Sequence, residues 1–201
     1  LNFQPVLPFS LSPKINLITR VILPIISQND ISGSGEKQSG LSDAVVSAWF
    51  SPSVSKNDLT WGFGPAFLVP TATDALLGTE KFGVGPTAII LKQNNGWTYG
   101  ALVNQLWSVA GKDERADVNQ MFIQPFLAYN WESGAGANAV FEITENWEAN
   151  TTQAFFIPSV SAVTKFGTQI VQFVIGPRIP IAAPSSSRPD FGVRAMVSFV
   201  F

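Results

Sequence analysis

A period of two, repeated in one segment after another, is the feature that most limits how this chain can fold. The final stretch, DFGVRAMVSFVF, shows it: Phe191, Val193, Ala195, Val197, Phe199 and Phe201 share one parity, and Gly192, Arg194, Met196, Ser198 and Val200 take the other. A strand sends alternate side chains to opposite faces, so the segment has one apolar face and one mixed face. In KINLITRVILPII, Ile15, Leu17, Val21, Leu23 and Ile25 oppose Asn16, Arg20 and Pro24, with Ile18 and Ile22. In LTWGFGPAFLV, Leu59, Trp61, Phe63, Pro65, Phe67 and Val69 oppose Thr60, Gly62, Gly64, Ala66 and Leu68. VNQMFIQPFLAYNW and QIVQFVIGPRIPI repeat the pattern. WTYGALVNQLWSV fits neither parity, because one leaves Asn104 and the other Gln105 on the apolar face; a bulge is one way out. Helical periodicity is absent.

Eleven strand-like segments follow, over about 2–10, 14–27, 42–51, 58–69, 81–93, 96–109, 117–131, 136–148, 152–165, 168–182 and 190–201. No linker divides them, so residues 1–201 read as a single domain. Hydrophobic residues make up 46% of the chain and charged ones 13%, against about 25% charged in soluble domains. Too little charge is left to coat the second face of so many strands for water. No apolar run approaches the roughly 18 residues of a membrane helix. The expectation is therefore an all-β fold: a transmembrane antiparallel up-and-down β-barrel of about 12 strands. Eleven lie in this chain. If the last strand descends, so does the first, and an even-numbered barrel needs a further strand before it.

Loop lengths and aromatics agree with that frame. Connections near 28–41, 70–80, 110–116, 149–151 and 183–189 share one end and include the longest; those near 11–13, 52–57, 94–95, 132–135 and 166–167 share the other and are mostly tight. Outer-membrane barrels have long outside loops and short periplasmic turns. A membrane-interface aromatic belt is expected from Phe9, Phe50, Trp61, Trp97, Tyr99, Tyr129, Trp131, Phe199 and Phe201 at the tight-turn end. Phe3, Phe67, Phe82, Trp107, Trp147, Phe156 and Phe191 form its counterpart at the other. The prolines cut against this reading. Pro5, Pro8, Pro24, Pro65, Pro86, Pro125, Pro158, Pro177 and Pro180 fall inside the segments, and proline lacks the ladder N–H. Many recur after Gly or Gln. Either they mark bulges that bend the wall, or the strands end there.

Chemistry is constrained by what is missing. With no Cys and no His, disulfides, histidine general bases, Ser-His triads and the commonest zinc ligands are excluded. A net charge of −2 makes no case for nucleic acid. Asp74, Glu80 and Lys81 in ATDALLGTEKF fit no calcium loop and read as a solvated outer loop or lid. No catalytic constellation, cofactor or metal site stands out, and the chain is not expected to be an enzyme. Without an initial Met or a leader, it reads as a mature or trimmed chain. The lumen-lining candidates are Asn16, Arg20, Gln120, Gln124, Phe126, Glu142, Gln172, Arg178 and Arg194. Arg20, Arg178 and Arg194 either pair with Glu142 and brace the wall or form a cationic strip that steers anions or acidic aromatics.

LVPTATDALLGTEKFGVGPTAIILKQNNGWTYGALVNQLWSVAG, then RADVNQMFIQPFLAY, resembles a bacterial group, and so does the opening LNFQPVLPFSLSPKINLITRVILPII. These stretches are similar to the outer-membrane "transporter" proteins often mislabelled neuromedin U, related to the phenol meta-pathway barrel family. The resemblance implies the bacterial outer membrane, passage of small molecules, and a further strand ahead of LNFQPV. It implies no catalytic residues. The functional expectation is a passive channel for small hydrophobic or amphipathic, aromatic-type molecules. The alternative is a closed structural barrel that anchors partner proteins. Expected partners are membrane lipid, a small-molecule solute and, in a homo-oligomer or larger membrane assembly, further protein.

Overall fold

The period-two segments become strands. The computed structural model describes residues 1–29, 35–184 and 191–200, so Phe201 and residues 185–190 lie outside the described residues. The strands are β1 (Asn2–Phe3), β2 (Val6–Ser12), β3 (Ile15–Asn29), β4 (Lys37–Leu41), β5 (Ala44–Pro52), β6 (Leu59–Val69) and β7 (Lys81–Asn94). They continue as β8 (Trp97–Gly111), β9 (Asn119–Asn130), β10 (Ala135–Asn146), β11 (Thr151–Phe166), β12 (Gln169–Ala182) and β13 (Gly192–Val200). No described residue is helical. All pairing is antiparallel, in the order β1-β3-β5 and then consecutively to β13, with β2 and β4 also on β3. β1 and β2 share one edge of β3, and β4 and β5 share the other. Thirteen strands thus fill eleven lanes, one for each segment read from the sequence. The addition is β4: Lys37–Leu41 zips onto Ile25–Asn29, inside a stretch expected to be loop.

The sheet curls into a half-barrel. Glu142 on β10 lies 2.7 Å from Arg194 on β13, although three lanes, about 14 Å on a flat sheet, separate their strands. Only a concave surface brings such side chains together. Among the described residues β13 pairs with β12 alone, and β1 and β2 with β3 alone.

Parity assigns the two faces as the alternation predicts. On β6, Gly62, Gly64, Ala66 and Leu68 point inward and are buried, while Trp61 and Phe63 point outward, Phe63 with 58% of its surface exposed. Ile90, Trp97, Leu127, Phe173, Ile175 and Val197 are exposed on the same outer surface. The concave side carries Ser47, Trp49, Thr87, Leu102, Asn104, Leu106, Phe155 and Ile157, all buried. Large apolar side chains thus stand on both faces, buried on the concave one and exposed on the outer one. Val171 departs from the pattern: it shares parity with Phe173 and Ile175 yet is buried.

The ambiguous segment resolves on β8 without a local bulge. Register is constant through Asn104 and Gln105. Asn104 faces inward. Gln105 faces outward, where its amide donates to Asn119 Oδ1 at 2.9 Å and its carbonyl accepts from Trp147 Nε1 at 3.2 Å. Partners, rather than a register shift, satisfy the polar group on the apolar face. The shift comes later, where Gly83 pairs with Ser108 but Phe82 with Ala110, leaving Val109 as the extra residue.

Most prolines neither end their strands nor make bulges. Pro65, Pro86 and Pro177 each follow a glycine inside a strand whose register runs unbroken past them. The residues opposite them are Ala48, Gln105 and Pro158. A Cβ on Gly64, Gly85 or Gly176 would collide with the carbonyl oxygens of those same three residues. Each of these carbonyls leans over the Cα that precedes the proline, and only glycine leaves room for it. Gly100 makes the same approach to the Ile90 carbonyl ahead of Ala101, so the glycine sets the kink and the proline empties the hydrogen bond. Glycine kinks curve a sheet. A bulge does adjoin Pro180, where the β11–β12 register shifts between Ala154 and Phe155.

Connections at 13–14, 53–58, 95–96, 131–134 and 167–168 lie at one end of the sheet. Asn95–Gly96 is a two-residue turn with φ of 49° and 81°, the double positive φ of a type I′ hairpin. Those at 70–80 and 112–118 lie at the other.

Candidate functional site

The concave face holds a charged cluster built from three lanes. Glu142 on β10 accepts from Arg178 Nη2 and Nε on β12, each at 3.3 Å, and pairs with Arg194 Nη2 on β13 at 2.7 Å. Gln124 Nε2 on β9 adds a fourth, weaker donor at 3.4 Å. The Arg178 guanidinium carbon sits 3.2 Å from the centre of the Phe155 ring. One carboxylate thus serves two guanidiniums. Of the two readings of the arginines, bracing describes Arg178 and Arg194.

It does not describe Arg20. This residue lies on β3 opposite Ser47, its guanidinium carbon 5.2 Å from the centre of the Trp49 ring. Its Nε and Nη2 are buried and find no hydrogen-bond partner among the described residues, nor does the buried Ser47 hydroxyl. A cation–π contact returns about 0.5–2 kcal/mol. Burying an ion without a partner costs several kcal/mol. Arg20 is left in deficit, and arginine cannot escape by deprotonating.

Trp49 organises this wall. Its Nε1 donates to Thr87 Oγ1 at 3.1 Å, and Thr87 Oγ1 donates to the Val103 carbonyl at 3.1 Å. The indole therefore spans from β5 to β7 across β6, which offers glycine at Gly62 and Gly64. The remaining lumen candidates also take inward positions by register: Asn16 opposite Ser51, Gln120 opposite Leu106, Phe126 opposite Gly100 and Gln172 opposite Ser198. They join neither charged group. Asn16 Oδ1 accepts from Ser10 Oγ at 3.3 Å.

The 70–80 loop is fastened rather than loose. Asp43, buried at the rim, accepts from Ala72 N at 3.2 Å and from Thr79 N and Oγ1, each at 2.6 Å. Arg115 donates to the Ala75 carbonyl at 2.9 Å and the Gly78 carbonyl at 2.5 Å. Glu80 pairs with Lys112 at 2.5 Å and Arg115 at 3.4 Å. Asp43 and Arg115 escape a sequence reading because most of their partners are backbone groups far along the chain. Replacing Asp43→Ala strands the Ala72 and Thr79 donors; a loss of about 2–3 kcal/mol is expected. Limited proteolysis should then cut between residues 70 and 80, where the unsubstituted chain is expected to resist. Hydrogen bonds from Lys81 and then Ser108 hold the Asp117 carboxylate below its usual range. A depressed pKa means that this tether is intact above the ordinary aspartate value and is lost as pH falls through the lowered one.

On the outer surface Trp97, Tyr129 and Trp131 meet in sequence at the tight-turn end, the first pair tilted and the second edge to face, with ring centres 4.8 and 5.2 Å apart. Trp61, Tyr99 and Phe199 are exposed at that end, and Trp107 and Trp147 toward the long-loop end. No protein-family model, curated protein or solved structure matches the chain.

Proposed function

We propose that this chain forms the wall of a bacterial outer-membrane β-barrel that passes small molecules across the membrane. The observation that carries the reading is the outward face. Phe63, Ile90, Val103, Leu127, Ile175 and Val197 stand exposed there on six different strands, with Trp and Tyr toward the strand ends. Large contiguous apolar surface needs an apolar partner, and hydrocarbon flanked by interfacial aromatics is the one that matches its layout. Among the described residues every lane between the two free edges has an antiparallel partner on both sides. Closing those edges in lipid calls for a twelfth strand, because open edges strand several kcal/mol per unpaired group. The resemblance of residues 65–130 to the transporter barrels supports the same reading.

The concave face suits small amphipathic solutes. It alternates amides and arginines with Phe122, Phe126, Phe155 and Ile157. The competing reading, a closed scaffold barrel, draws on Trp49, Leu102, Phe155 and Ile157, each 3% exposed or less, which pack the concave wall tightly. Planar-bilayer recording separates the two: stable single-channel openings favour passage, and a folded but silent barrel favours the scaffold. Membrane residence has its own test. In lipid, Phe63→Arg is expected to cost about 2–4 kcal/mol in unfolding free energy. A solvent-facing site would shift by less than about 0.5 kcal/mol.

A further inference from the structure

Between the rims, the inward positions of the described strands carry Arg20, Arg178 and Arg194 against one carboxylate, Glu142. Glu142 is committed to two of them. Arg20 stands alone on β3, with two enclosed N–H groups unpartnered, directly opposite a Ser47 hydroxyl that is fully buried and equally unpartnered. Native proteins rarely leave such groups empty, and least of all around a permanent charge. Ile18 and Ile22 flank Arg20 on the same face, and Val45 lies opposite Ile22. The surroundings are therefore apolar while the unmet demand is for an anion with at least two oxygens. A guanidinium answers that demand bidentately. No oxygen among the described residues competes for the guanidinium, whose one contact is the face of the Trp49 ring.

We propose that Arg20, with the Ser47 hydroxyl beside it, binds the carboxylate of small apolar acids, so that the solutes taken by this barrel are anions of the benzoate type. The inference rests on the channel reading above and names its substrate class. The lining's excess of cations acts in the same direction, raising the local concentration of anions.

Benzoate and its neutral counterpart, benzyl alcohol, are titrated calorimetrically into the folded protein in micelles, with planar-bilayer recording alongside. Benzoate is expected to bind about tenfold more tightly than benzyl alcohol. Arg20→Met, which keeps the volume and removes the charge, should erase the difference. Ser47→Ala, which removes a hydroxyl with no partner to lose, should weaken benzoate by about threefold while the protein folds normally. No benzoate preference in the wild type, or an undiminished one in folded Arg20→Met or Ser47→Ala, overturns the proposal. Benzoate binding without membrane current keeps the Arg20 site and overturns the channel. Current without benzoate binding does the reverse.

Discussion

Glu142→Gln is expected to lower the unfolding free energy of the barrel by about 2–4 kcal/mol. The substitution keeps the shape of the side chain and removes its charge. Arg178 and Arg194, on the neighbouring strands β12 and β13, are then left side by side with no counter-ion. Breaking a buried pair by removing one partner costs about 3–5 kcal/mol. The lower figure applies because the two arginine side chains retain 37% and 30% of their exposure and solvent screens part of the effect. Urea unfolding in lipid or detergent reads it directly. Restoring the balance by Arg178→Met in the same background should recover most of the loss. A double mutant no more stable than Glu142→Gln alone would show that the cluster does not hold the wall together.

The second large effect is a contrast within one dipeptide. Gly85→Ala should destabilise by about 2–4 kcal/mol, because its Cβ meets the Gln105 carbonyl and the strand must move. Pro86→Ala, one residue on, should leave stability within about 1 kcal/mol of the wild type or raise it. It returns an N–H to the strand position opposite Gln105. Measured midpoints that move together in both variants would contradict the division of labour between kink and missing donor.

The alternation was legible because it needs nothing but the pleat: Trp61 and Phe63 go one way and Gly62 and Gly64 the other, whatever surrounds them. Eleven lanes followed for the same reason. β4 was missed because Lys37–Leu41 carries the polar and glycine composition of a loop, and its strand character comes from β3 extending to meet it. The Glu142 cluster was legible as a set of residues but not as an arrangement, since pairing across three lanes depends on curvature. Gly–Pro repetition was visible, but its meaning lay in the opposite strand, where register alone identifies the orphaned carbonyl. Trp49 was the clearest omission. Sequence places it inward beside Phe50, but its reach to Thr87 depends on the glycines of the neighbouring strand β6.

The glycine–proline dipeptides also act as alignment pins. Sliding β6, β7 or β12 by one position along its neighbour would bring a Cβ-bearing residue against the orphaned carbonyl and present a donorless proline where an N–H is wanted. An extended wall with eleven near-equivalent zigzags has many wrong ways to zip, and these notches penalise each of them locally, before the far edges have met.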